Sequence, residues 1–327
     1  MKRLRFWLKI LGMCLVLLVA LGVAFLWWLL PGRYRLSKDV KLPTRYAGDR
    51  FYVEPVSTTG VKLDLLTDTG GGLMLSSAAA ERCGMRPRKL FGMPLARLPA
   101  FQKDAWIPEP TGAEKWMLVS GSVGSDGMLG QRWFAGGVWT FDYPAQALVL
   151  RAASFTPSPE MRQHAAPLGF HTATLGYRDH NHPRIVVTVA GAPLEALFDT
   201  GATVWLSPEA MKVMHAEGDA ERGTSFVTAS LFEQWHRSHP EWRVIEHGCT
   251  KTGAALIEVP EVEVAGLKAG PVWFTERQDG NYAYMSQFTD KPIAAAIGGN
   301  FLKHFRVTVD YLAATAYFET VTNSVSK

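Results

Sequence analysis

The body of this 327-residue chain is written twice, and an internal repeat constrains the possible folds more than composition can. The first copy runs Phe51-Tyr-Val53, a turn at Gly60 and Val61-Lys-Leu-Asp-Leu-Leu-Thr67, then Asp68-Thr69-Gly70. The second runs Arg184-Ile-Val-Val-Thr-Val189, a turn at Gly191 and Ala192-Pro-Leu-Glu-Ala-Leu-Phe198, then Asp199-Thr200-Gly201. Each reads as a strand, a turn, a second strand and a triplet. An apolar stretch ending in Ser follows each triplet, Leu73-Met-Leu-Ser76 and Val204-Trp-Leu-Ser207, and each leads into a short helix. Ser207 suits an N-cap and Pro208 a first helical position. The first helix is expected from about Ser77 to Gly84. Further on come Met128-Leu-Gly130 and Ala296-Ile-Gly298, each before an aromatic-rich strand pair.

The two copies differ in length. Asp68 to Gly130 spans 62 residues and Asp199 to Gly298 spans 99, so the second carries 37 more. Part of that excess reads as helix, because Ser230-Leu-Phe-Glu233 is a capping-box pattern opening Leu231 to Arg237. The divisions expected are a tail (1–9), an apolar helix (10–30), a linker (31–45), a first lobe (46–155), a connection (156–182) and a second lobe (183–322).

From Ile10 to Leu30 no residue is charged, and Pro31 closes the run. That length crosses the roughly 30 Å hydrocarbon core of a bilayer. Trp7, Trp27 and Trp28 stand at its ends, where amphipathic rings favour the headgroups. The alternative is a cleaved signal peptide with Ala20-Leu21-Gly22 as its cleavage site, but the apolar run continues past Gly22. Lys2, Arg3, Arg5 and Lys9 before the span balance Arg33, Arg35, Lys38 and Lys41 after it, so charge alone does not orient it. The very short N-terminal tail favours a cytoplasmic N-terminus with the body translocated, into the periplasm if the source is bacterial.

Residues 1–41 hold eight of the 34 Lys and Arg but one of the 30 Asp and Glu, leaving the remainder at a formal charge of −3. The basic pI therefore belongs to the N-terminus, and nucleic-acid binding loses its electrostatic basis. Cys14 lies in the apolar run, so Cys83 and Cys249 are the candidates for a disulfide. No spacing of Cys and His suggests a metal site, and neither cofactor nor metal is expected. His236-Arg-Ser-His239 reads as a polar helix face, and His180-Asn-His182 as loop. Gly121-Ser-Val-Gly-Ser-Asp126 lacks the Lys of a phosphate loop. No nucleophile elbow of the G-x-S-x-G type occurs.

A single Asp-Thr-Gly is a weak signal, since Asp-Gly turns commonly follow strands. Two copies in the same context instead imply symmetry-related loops that bring Asp68 and Asp199 together. Carboxylates about 3 Å apart cannot both ionise, so the pair would share a proton. The ionised member could then act as general base on a water and the protonated one as general acid on a carbonyl. Thr69 and Thr200 can cross-link the loops through backbone hydrogen bonds, and Gly70 and Gly201 permit the sharp turn.

Leu197-Phe-Asp199-Thr-Gly-Ala202-Thr203-Val-Trp-Leu-Ser207, with Ile297-Gly298-Gly-Asn-Phe-Leu302 downstream, resembles the signature of retropepsin-like aspartic proteases. Asp68-Thr-Gly70 with Met128-Leu-Gly130 resembles it again, over an interval closer to a retropepsin subunit than to a pepsin lobe. The resemblance covers nearly all of residues 46–322. It implies an all-β fold of two pseudo-twofold-related β-barrel lobes in one chain, as in pepsin-like enzymes, after the transmembrane helix. It further implies a monomeric aspartic endopeptidase acting on a peptide or protein in the cleft between the lobes. Asp68 and Asp199 would be catalytic, supported by Thr69, Gly70, Thr200, Gly201, Ala202 and Thr203. An inactive, membrane-tethered peptide-binding module is the alternative.

The first loop departs from the signature. Gly71-Gly72 stands where the family has Ala or Ser and then a hydroxyl or Asp, whereas Ala202-Thr203 complies. By interval the flaps would fall at Phe91–Leu95 and Gly223–Val227. No Tyr lies between Asp68 and Gly130, which leaves Trp106 or Trp116 for the flap aromatic.

Overall fold

The computed structural model describes residues 2–29, 33–90, 92–110, 115–121, 124–174 and 176–320. Helix Lys2–Leu29 is continuous over 28 residues. Its side chains are described at Trp7 and from Lys9 to Val23, and Leu11, Leu15, Leu18 and Leu21 are exposed. Among the described residues no helix is long and apolar enough to cross a membrane.

Alternating apolar residues make the rest mostly strand, arranged in two sheets that repeat one another. In the first half, Leu65–Thr67 runs parallel to Gly127–Leu129, which is antiparallel to Met74–Ser76. Met74–Ser76 is in turn parallel to Met117–Ser120, and Met93–Ala96 and Arg88–Leu90 extend the sheet as a hairpin. In the second half, Ala192–Phe198, Ala295–Ile297, Ser225–Thr228, Val272–Arg277, Leu256–Val259 and Val244–Ile245 follow in the same order. They carry the same alternation of parallel and antiparallel pairings. Among the described residues both sheets, of eight and nine strands, have free ends. The barrels expected from the resemblance are therefore open sheets.

A third sheet joins the halves. Its six strands run Val40–Lys41, Ala147–Leu150, Val138–Asp142, Arg306–Asp310, Thr315–Glu319 and Ala165–Pro167. The pseudo-twofold passes through its central pairing, where Thr140 faces Thr308 and their hydroxyls bond at 2.8 Å. Matched turns follow, with Gln146 and Ala314 each at φ 51°. The apolar faces of all three sheets pack into a common core around Trp133, Phe134, Trp139, Phe141, Phe198 and Tyr311. Residues 40–45 and 165–167, expected in linkers, are thus partly strand, and Pro159–Gln163 is helix.

The repeat is not aligned as its sequence suggests. Ser76 does cap helix Ser77–Arg82, accepting from the Ala79 amide at 3.1 Å, and Ser207 does the same for Pro208–Val213. In sheet position, however, the partner of Met74–Ser76 is Ser225–Thr228, and the partner of the first helix is Ala229–Ser238. Residues 203–223, with the two-stranded pairing of Thr203–Trp205 and Glu221–Gly223, are an excursion absent from the first half. Most of the extra length lies there and in helix Asp279–Met285 with its following turn, not in Leu231–Arg237. The latter helix begins at Ala229, and its Ser230 amide is capped by Asp279 at 3.0 Å rather than by a capping box.

The second flap expectation fails with that alignment. Gly223–Val227 is buried strand, with Ser225 and Val227 wholly enclosed. The counterpart of the Arg88–Leu90/Met93–Ala96 hairpin is instead the connection from Val244–Ile245 to Leu256–Val259. In the first half the expected interval does coincide with a hairpin, exposed around Gly92 and Met93; Phe91 lies outside the described residues.

Candidate active site

Each Asp lies where a strand ends against its parallel neighbour. The Asp68 amide donates to the Leu129 carbonyl at 3.0 Å, and the Asp199 amide to Ile297 at 2.9 Å. Both chains then turn sharply. Gly71 N bonds Asp68 O at 3.1 Å, and Ala202 N bonds Asp199 O at 3.3 Å. The amides two residues on hold the carboxylates themselves, Gly70 N to Asp68 Oδ1 at 3.0 Å and Gly201 N to Asp199 Oδ1 at 3.1 Å.

The threonines tie the loops together. Thr69 Oγ1 donates to the Phe198 carbonyl at 2.6 Å and accepts from the Thr200 amide at 3.0 Å. Thr200 Oγ1 donates to the Thr67 carbonyl at 3.0 Å and accepts from the Thr69 amide at 3.2 Å. Both threonines are fully buried, so all four bonds form where an unmet polar group is costly. A Cβ at Gly70 would run into the Asp199 carboxyl, and one at Gly201 into that of Asp68. The two glycines are what let each carboxyl lie on the opposite loop.

The carboxyls remain half-buried, with an open side, although protein surrounds them densely. Burial, the Asp199 charge and a hydrogen bond to Asp199 hold the Asp68 carboxyl well above the ordinary range. Burial also raises Asp199, but the bond from Asp68 and the Arg277 guanidinium pull it back. With both carboxyls raised and only Asp199 partly pulled back, the pair shares one proton rather than ionising fully.

Beyond the triplets the loops part company. A Cβ at Gly71 would fall inside the Asp68 carboxyl and against Met128, whereas Gly72 faces open space. Gly71 is thus the residue that makes room for Asp68 in its present position. Thr203 does not order Asp199 directly: its hydroxyl donates to Gly201 O at 2.7 Å and accepts from Arg50 at 2.9 Å. The buried Arg50 also binds Glu221 at 2.9 Å, which docks the 203–223 excursion on the first half.

Several neighbours escaped the sequence reading. Tyr143 and Tyr311 are buried within electrostatic reach of Asp199 and Asp68 respectively, and burial keeps both hydroxyls neutral. Their signal was present as a second repeat, Asp142-Tyr143 and Asp310-Tyr311. The His182 ring sits against the Gly70 backbone; burial, then His180 and Arg132, push it down to about 4, so it is neutral near pH 7. Arg277, over the Phe226 ring at 4.0 Å, lines a cavity of about 410 Å³ with Trp205, Phe226 and Thr275. No local motif announces Arg277, because a long-range parallel pairing brings it there. Trp106 belongs elsewhere, in a cavity of about 550 Å³ with Arg97 and Phe101 that touches neither loop. Cys83 and Cys249 are free thiols, one in each half. His239 stacks on Trp242 at 4.2 Å, as a packing residue would.

No family model matches the sequence. No curated protein matches it either. Among solved structures the chain is similar to the aspartic proteinase from Irpex lacteus, at 10% identity and a TM-score of 0.48, over 88% of this chain and 99% of that one. A likeness this distant says nothing about chemistry, which the two loops alone must supply.

Proposed function

We propose that the chain is a single-chain aspartic-type endopeptidase of the retropepsin and pepsin kind, tethered to a membrane by its N-terminal helix. The observation that carries this reading is the pair itself: two carboxyls on cross-tied loops, each lying against the glycine of the opposite triplet, in surroundings that raise both. Asp199, ionised, takes a proton from a water on the open side of the pair. Asp68, protonated, donates to the peptide carbonyl as the water adds, so that negative charge never accumulates on the tetrahedral carbon's oxygen. On collapse of that adduct the proton taken up by Asp199 passes to the leaving amine, a hydroxyl of the diol returns its proton to Asp68, and no covalent enzyme intermediate forms. The substrate lies across the junction of the halves, with the cavity at Trp205, Phe226 and Arg277 taking one of its side chains.

The tether rests on the charge-free run from Ile10 to Leu30 in the sequence, of which Ile10 to Leu29 lies in a helix roughly 42 Å long, at 1.5 Å per residue. From Leu11 to Val23 its side chains are exposed on every face. We place the N-terminus in the cytoplasm and the body across the membrane. Cleavage of unfolded protein at mildly acidic pH, compared between wild type and Asp199→Asn, tests the enzymatic reading. Cleavage that survives the substitution unchanged would sink it. Peptide binding without cleavage by the wild type would make the body a binding module instead.

A further inference from the structure

The connection between the halves folds into a hairpin that the proposed peptidase mechanism leaves unused. Its strands meet at a bridge between Thr172 and Arg178, which sets His171 and Asp179 side by side, His171 Nδ1 to Asp179 Oδ1 at 2.6 Å. The His180 ring stands edge-on to His171, with centroids 5.6 Å apart. One ligand atom from each of His171, Asp179 and His180 lies within 4.8 Å of the other two, so some point is within about 2.8 Å of all three. Zinc is held at ~2.0–2.2 Å by such ligands, so small side-chain movements close the difference.

We infer that His171, Asp179 and His180 form a binding site for a divalent transition-metal cation, Zn²⁺ foremost. Two imidazoles and one carboxylate are a donor set that Zn²⁺ and its first-row neighbours favour, with a water completing the shell. The cation takes the place of the hydrogen bond between His171 and Asp179, whose proton leaves for the other ring nitrogen or for solvent.

The backbone around these residues is fixed in advance, as a metal site requires. Arg178 stacks on Phe170 at 3.8 Å and donates to the Tyr311 carbonyl at 2.6 Å, pinning one strand to the core. Directly after His180, the Asn181 amide donates to the buried Gln131 side chain at 2.8 Å. Phe288 packs edge-on against His180 at 5.0 Å. Arg132 opposes a cation with its own charge, which Asp179 offsets. Two residues past His180, the His182 ring rests on the Gly70 backbone, so a bound cation braces the segment that touches the first triplet.

The test uses the full-length chain in detergent, stripped with a chelator and titrated with Zn²⁺ alone by calorimetry and thermal unfolding. Saturable binding of a single equivalent, with a rise in melting temperature, is expected. His171→Ala, Asp179→Asn and His180→Ala should each weaken binding by ~10-fold or more, the scale on which even supporting residues of metal sites act. His236→Ala/His239→Ala should bind as wild type does. Asp179→Asn keeps shape and polarity, so it serves if a histidine variant fails to fold. Co²⁺ should give the intense visible bands of a low-symmetry nitrogen–oxygen site, lost in the variants. Absence of saturable binding, or undiminished binding in Asp179→Asn and His171→Ala, overturns the inference. Both readouts are independent of peptidase activity.

Discussion

The two triplet loops are nearly superimposable in their hydrogen bonds and unlike in almost everything around them. Each has a Gly amide on its own carboxylate, a Thr hydroxyl on the other loop's backbone, and a strand end fixed by a parallel neighbour. Asp68, however, fills the space beside Gly71, while Asp199 is followed by Ala202 and feels Arg277. Symmetry supplies the meeting of two carboxyls. The departures from symmetry give the two carboxyls different surroundings. A fully symmetric pair would leave them interchangeable; here burial raises both, and Arg277 pulls back Asp199.

That comparison can be broken in graded ways. The largest effect is expected from Asp199→Asn and Asp68→Asn, each lowering kcat by about 10²–10⁴-fold, the range that general acid–base groups supply. The two variants should differ in stability. A carboxyl whose folded pKa lies above its unfolded value costs stability as pH rises through that interval, and costs nothing below the ordinary carboxyl range. Asp68→Asn should therefore raise the melting temperature at neutral pH, with the gain fading on acidification and exceeding that of Asp199→Asn. An equal gain in both would mean that the proton has no preferred side.

Next comes Gly71→Ala. Its Cβ displaces the Asp68 carboxyl, and a shift near 1 Å can cost on the order of 10²-fold in rate. Gly72→Ala faces open space and should leave kcat/KM and stability unchanged, to within about 0.5 kcal/mol. Similar activity in the two variants would show that Asp68 does not depend on this gap.

Thr69→Ala and Thr200→Ala each orphan a buried carbonyl and a buried amide on the opposite loop. At ~1–3 kcal/mol per group, denaturant unfolding should register roughly 2–6 kcal/mol, alike for both. A large inequality would mean that one loop carries the junction. The smallest effect is at the symmetry axis. Thr140→Val or Thr308→Val alone should cost ~1–2 kcal/mol by stranding the partner hydroxyl, whereas the double variant should recover most of that loss.

The order of parts, both carboxyls and the crossing threonines were legible because the repeat writes them in both halves next to each other in sequence. What misled was proximity. Val204-Trp-Leu-Ser207-Pro and Ser225-Phe-Val-Thr228-Ala both read as a short strand ending in a hydroxyl before a helix, and the one nearer the triplet looked like the match. Only the pairing of Ser225–Thr228 with Ala295–Ile297 and Val272–Arg277 identifies the true counterpart. Arg50 at Thr203, Arg277 near Asp199 and His182 at Gly70 were hidden for a related reason. Their neighbours are more than 70 residues away, and no spacing rule reaches that far. Gly71 looked like a defect because its sequence position shows an absent side chain but not the carboxyl that fills the space.

The shared six-stranded sheet has a consequence for the chain's divisibility. Its central contact is antiparallel and centred on Thr140 and Thr308, so each half contributes the same kind of strand in the same register. A chain cut in the 170s would leave Val138–Asp142 as an unpaired edge able to meet a second copy of itself, Thr140 on Thr140. Such an isologous contact closes after two copies and cannot grow into a fibre. The excised first half should thus behave as a dimer, and adding the second half should exchange that dimer for the native pairing.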